Sequence, residues 1–114
     1  MMKNILGCFV LAAAPAFAGS GYIDGHTLNN RLKDYDVPNK TAAQAVTGGN
    51  AQGYITGVAD ALDGVLFCIP NDVKVGQLIA MTERYLRDNP DKWNRNADTL
   101  IVESLRPSFP CAKK

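Results

Sequence analysis

Apolar residues recur at helical spacing in four stretches of this chain, and no stretch reads convincingly as a strand. From about Asp24 to Tyr35, Leu28, Leu32 and Tyr35 share one face, and Asp36-Val-Pro-Asn-Lys40 ends the pattern. Thr41-Ala-Ala-Gln44 then forms a capping box, a hydroxyl for the third amide and a glutamine that reaches back, which opens the longest helix. Its stripe of Ala51, Tyr54, Ile55, Val58, Leu62, Val65 and Leu66 advances by threes and fours as far as Cys68. Gly48-Gly49 should weaken or kink its start.

Beyond Pro70, Asn71 or Asp72 can cap a third helix with Val75, Leu78, Ile79, Tyr85 and Leu86 on its apolar face. Asn89-Pro90 stops that helix and starts the next, because asparagine is a good N-cap and proline fits the first helical position, where no amide hydrogen is needed. Trp93, Ala97, Leu100, Ile101 and Leu105 make the fourth stripe, and Pro107 and Pro110 end it. The pattern predicts an all-α fold, a small four-helix (or five-helix) bundle, with no internal repeat and no second domain.

The N-terminus changes how the cysteines are counted. Lys3, an apolar run from Ile5 to Ala14, and Ala16-Phe17-Ala18 before Gly19-Ser20 have the layout of a secretory signal peptide over residues 1–18, leaving one domain over 19–114. The apolar run is too short to span a bilayer as a stable helix. Ile5-Leu6-Gly7-Cys8 has a lipoprotein flavour, but most of the apolar run follows the cysteine rather than preceding it. Export removes Cys8 and leaves Cys68 and Cys111, an even pair entering an oxidising compartment, so one disulfide is expected to close the bundle. It spans 43 residues, for which chain entropy gives about 4 kcal/mol.

Removing the first 18 of 114 residues also removes Lys3, so 11 basic residues face 11 acidic ones. A near-neutral chain without a basic stripe argues against nucleic acid and against an anionic membrane surface. The expected location is periplasmic, reached by export through the signal peptide.

Each candidate for chemistry meets a plainer reading. Cys68 with His26 as base would be a thiol nucleophile, but a second exported cysteine favours the disulfide. One histidine and two cysteines lack the close paired spacing of a zinc site. Asp60 and Asp63, with Asp24, bring to mind the paired carboxylates of glycoside hydrolysis, yet acidic residues also simply occupy the polar edge of an amphipathic helix. No nucleophile elbow, phosphate loop or dinucleotide fingerprint is present, and neither an enzyme nor a cofactor is expected. Asn39-Lys40-Thr41 matches a glycosylation triplet, but Thr41 already serves as a cap.

Two surface features remain. Gly49, Gly53, Gly57 and Ala61 recur every fourth residue and form a smooth strip for close helix contact, with packing inside the chain favoured over a second subunit. Arg84 to Arg95 gathers charges of both signs and Trp93 around an interhelical corner. Tryptophan and arginine are favoured interface anchors; the competing reading is a solvated corner with Trp93 turned into the core.

Gly53-Tyr54, Gly57-Val58, Asp60-Ala61, Gly64, Phe67-Cys68-Ile-Pro70, Gln77-Leu78, Tyr85-Leu86, Asn89-Pro90 and Phe109-Pro110-Cys111 form an ordered set. In that set the chain resembles the periplasmic immunity proteins for type VI secreted cell-wall amidases, of the Rap and Tai type. The resemblance implies a small helical protein, often a homodimer, that binds and blocks an amidase effector and has no catalytic activity of its own. It implies occlusion by a helix and an interhelical loop, and Arg87, Asp88, Asn89, Asp91, Lys92, Trp93 and Arg95 are the residues matched to that role. The alternatives are a periplasmic chaperone or stress-binding protein without an amidase partner, and a small cell-wall enzyme that would need Cys68 free.

The exported protein is expected to begin near Gly19 and to weigh two hydrogens less than its reduced sequence. Intact mass with and without reductant checks both; two free thiols in the native protein would contradict the disulfide.

Overall fold

The computed structural model describes residues 21–112, so the signal peptide, its cleavage site and Cys8 lie outside the described residues. Among the described residues there are four α-helices, α1 Gly25–Asp36, α2 Ala42–Leu62, α3 Val75–Asp88 and α4 Ala97–Leu105, with a short 3₁₀ turn at Pro90–Lys92. Among the described residues no strand forms, and only isolated bridges join Asp24 to Asn96 and Asp63 to Phe67.

Helix α1 starts where the Asp24 carboxylate accepts from the Thr27 amide (2.9 Å). That bond holds the carboxyl below its ordinary range. Asn39, with φ of 56°, makes the left-handed turn that reverses the chain into α2. The capping box stands as the sequence predicts: the Gln44 amide donates to Thr41 Oγ1 (3.1 Å) and the Thr41 amide to Gln44 Oε1 (3.0 Å).

The glycine pair does not break α2, which runs unbroken through it. Gly48 is instead where α1 crosses closest, since a Cβ there would stand 2.7 Å from the Tyr35 backbone. The strip expected to pack inside the chain does not: a Cβ at Gly49, Gly53 or Gly57 would meet nothing within 4 Å. The core side of α2 is carried by Ala51, Ile55 and Ala59, which lie on a different face.

The long stripe also ends early. Helix α2 stops at Leu62, short of Cys68, because Asp63 turns its carboxylate onto the Ile69 amide (2.8 Å) and Gly64 takes a φ of 84°. The Gly64 amide then donates to the Phe67 carbonyl (2.7 Å). This turn throws Val65 into solvent, 70% exposed, and buries Phe67 completely. Cys68 is thereby left extended beside the C-terminal segment. Its amide donates to the Phe109 carbonyl (2.8 Å), and its sulfur is bonded to Cys111.

Helix α3 begins later than Asn71 or Asp72 suggested. Its cap residue is Lys74, whose amide donates to Gln77 Oε1 (2.7 Å). Leu78, Ile79 and Leu86 of α3 meet Leu28, Leu32, Ile55, Phe67, Leu100, Ile101 and Leu105 in one core. Within it the Thr82 hydroxyl donates to the Leu78 carbonyl (3.0 Å), which leaves that buried group satisfied.

The neighbouring glycines should respond oppositely to one methyl group. Gly48→Ala is expected to destabilise by about 1–3 kcal/mol through overpacking against α1, whereas Gly49→Ala should stabilise by up to about 1 kcal/mol through helix propensity. Denaturant unfolding of both variants checks the pair.

Candidate functional site

The segment from Arg87 to Arg95 is continuous, and its seven named residues spread over both sides of the turn between α3 and α4. Its architecture differs from the simple helix start read from Asn89-Pro90. The Asn89 side chain donates backwards to the Tyr85 carbonyl (2.8 Å), closing α3. Pro90 opens only a 3₁₀ turn, and the next α-helix waits until Ala97. The reason lies in α1. The Gly25 amide donates to the Arg95 carbonyl and the His26 amide to the Trp93 carbonyl, both at 3.0 Å, while the Ala97 amide donates to Ile23 (3.0 Å). These carbonyls serve the open end of α1, so the chain between Trp93 and Asn96 cannot be helical. Gly25 permits the contact, since a Cβ there would lie 2.8 Å from the Trp93 backbone.

Trp93 is half-buried. Its indole N–H donates to the Leu86 carbonyl (2.7 Å), and its ring meets His26 edge-on at 5.7 Å. It packs against the core and also lines a cleft, so both readings of its position hold in part.

From this anchor the corner has two sides. On the first, Lys92 Nζ donates to the Tyr85 hydroxyl (3.3 Å) and sits over its ring, and that hydroxyl donates to Glu103 Oε1 (2.5 Å). Arg95 grips the same carboxylate with both guanidinium nitrogens, at 3.2 and 2.8 Å. The Tyr85 bond, aided by Arg95, holds the Glu103 carboxyl below its usual range, while burial and the same bond push the Tyr85 hydroxyl upward. This network ties α3, the turn and α4 together.

On the second side, Arg87, Pro90 and Trp93 line a cleft of about 330 Å³ with Asn29, Lys33, Asp36 and Glu83. Tyr85 and Arg87 are two apart on α3 and therefore serve different sides. The Glu83 carboxyl is pushed up to about 7, chiefly by burial, then by the neighbouring Asp36 carboxyl, with Arg87 opposing. Asp88 and Asp91 are exposed.

Sequence reasoning missed Lys33, Asp36, Glu83, Tyr85 as a hydrogen-bonding group, and Glu103. Only the Glu83–Arg87 spacing of four carried a signal. Asp36 and Glu83 lie on different helices, and nothing local joins them. Of the other candidates, Cys68 is consumed by the disulfide, and Asp63 and Asp24 are engaged as turn and cap. Among the described residues no three histidines, cysteines or carboxylates gather as a metal site, and no helix is long and apolar enough to cross a membrane.

The fold is thus a disulfide-closed helical bundle with a charged corner between α3 and α4. The family model for Rap1a immunity proteins matches residues 20–111, and the chain belongs to that family. It is therefore an immunity protein for a secreted effector, not an enzyme. A search of curated proteins returns no match.

The Tyr85–Glu103 bond gives a checkable pH effect. Because the folded state lowers the Glu103 carboxyl, its contribution is present above the unfolded carboxylate range and is lost as pH falls through the lowered folded value. Glu103→Gln should flatten that acid limb. A double-mutant cycle with Tyr85→Phe should return a coupling of about 0.5–1.5 kcal/mol by denaturant unfolding.

Proposed function

We propose that the protein acts in the periplasm, where it binds a type VI secreted peptidoglycan amidase and covers its substrate groove. Membership of the immunity family carries this reading, and the sequence resemblance to amidase immunity proteins supplies the effector class. The disulfide fits an oxidising compartment. The contact surface in this reading is the corner of Arg87, Asp88, Asn89, Asp91, Lys92, Trp93 and Arg95. Anchoring supports it: α1 and the Glu103 network hold the segment in shape before any partner arrives, so little ordering entropy opposes docking.

The same reading includes a homodimer. The strip at Gly49, Gly53, Gly57 and Ala61 is exposed along α2, and it adjoins an apolar hollow lined by Tyr54, Val58 and Leu62. A helix of a second copy can approach such a strip closely.

Purified protein should abolish peptidoglycan hydrolysis by its cognate amidase at equimolar ratio, and light scattering should return a dimer that Gly57→Leu splits. Arg87→Ala and Asp91→Lys should each weaken inhibition about tenfold or more, with stability changed by less than about 0.5 kcal/mol. Failure to inhibit any amidase from the producing cell's secretion system would overturn the reading. Capture of many unrelated proteins instead would favour the chaperone alternative.

A further inference from the structure

The corner carries two kinds of cation, distinguished by whether the chain itself already holds them. Arg95 places both guanidinium nitrogens on the Glu103 carboxylate (3.2 and 2.8 Å), and Lys92 donates to the Tyr85 hydroxyl (3.3 Å), which in turn donates to Glu103. Those two charges are partnered. Arg87 is exposed and, among the described residues, makes no hydrogen bond and no ion pair; Arg95–Glu103 is the one ion pair within 4.0 Å there. Lys33 is in the same condition.

These two unpartnered cations meet across the fold. Lys33 lies in the last turn of α1 and Arg87 in the last turn of α3, and both line one cleft with Leu32, Pro90 and Trp93. A cation in a last turn also suits the helix carbonyls there, but that role asks for no shared cleft and no neighbouring aromatic. Asp36 and Glu83 line the cleft too, yet they do not cancel its charge. Neither comes within ion-pair distance of Lys33 or Arg87, and Glu83 is half-buried, so that burial disfavours its charged form. Of the exposed charged groups that line the cleft, Lys33 and Arg87 are positive and Asp36 alone is negative.

We propose that Lys33 and Arg87 form a two-helix cation seat that takes an acidic side chain of the effector, its carboxylate between the two cations and its methylene stem against Trp93 and Pro90. The inference rests on the corner being the effector surface, and it extends that surface onto α1. Arginine presents a planar fork that matches a carboxylate, and lysine adds a point charge from the other helix. A cleft of about 330 Å³ has room for such a side chain. Arg95 and Lys92, tied to Glu103 and Tyr85, brace the turn that carries Trp93 while the unpartnered pair draws the acidic group in.

Lys33→Gln and Arg87→Gln test the seat, since each removes one charge and keeps most of the side chain's length. Against the amidase that passes the inhibition test, each should slow association and weaken binding about fivefold or more. Each should also flatten the loss of affinity with added salt, which a merely structural residue would not do. Lys40→Gln is the control: its ammonium is held by the Val37 carbonyl (3.0 Å) and lies over the Tyr35 ring, outside the cleft lining, and its loss should leave affinity and salt dependence as in wild type. Wild-type affinity and salt dependence in Lys33→Gln, with Arg87→Gln impaired, would overturn the seat and leave the corner standing. Wild-type behaviour in both would overturn the corner as well. Equal weakening by Lys40→Gln would mean attraction to overall charge, and would likewise overturn the seat. If no amidase of the producing cell binds, the seat falls together with the effector reading.

Discussion

The corner depends on the way the open end of α1 is satisfied. A helix begins with amides that have no partner of their own, and here the Gly25 and His26 amides take the Arg95 and Trp93 carbonyls. That choice separates the 3₁₀ turn at Pro90–Lys92 from α4, which starts only at Ala97, and fixes the Trp93 indole over the end of α3. It also places Arg87 and Lys92 on two different sides. The cleft with Asp36 and Glu83 forms on one, and the Tyr85–Glu103–Arg95 network on the other. Gly25 is the residue that makes the seat possible, since any side chain would strike the Trp93 backbone or Leu100.

At the far end of the bundle, the turn after α2 closes the structure by different means. Phe67 fills the core completely while Cys68, one residue on, joins the C-terminal segment through both an amide bond and a disulfide. The C-terminal segment is thereby held against the end of α2. The 43-residue separation of the two cysteines places α3, the corner and α4 inside the covalent loop, so the proposed binding surface is carried by a cross-linked part of the chain. A protein of this size with a modest core gains from such a restraint.

Much of this was legible in the sequence. The four apolar stripes located the helices, Thr41 and Gln44 marked the start of α2 to the residue, and the two cysteines outside the expected signal peptide pointed to their bond. The misreadings have a shared cause, which is that periodicity reports local pattern and not what lies opposite. Val65 and Leu66 continue the α2 spacing, but Asp63-Gly64 is also a turn dipeptide, and burial of Phe67 decided between them. Gly48 and Gly49 look alike in sequence and differ only because α1 crosses one of them. The corner residues themselves were found from composition and resemblance, whereas Asp36, Glu83 and Glu103 gained their roles from helices brought together by the fold.

Hydrogen exchange of the protein alone and in complex with the proposed amidase tests most directly where this immunity protein meets its effector. Binding at the corner should slow exchange in residues 87–95 and in the last turn of α1, which shares the cleft, and leave the Gly49–Ala61 face of α2 as it is in the free protein. Protection confined to that α2 face, with the corner exchanging as before, would contradict it.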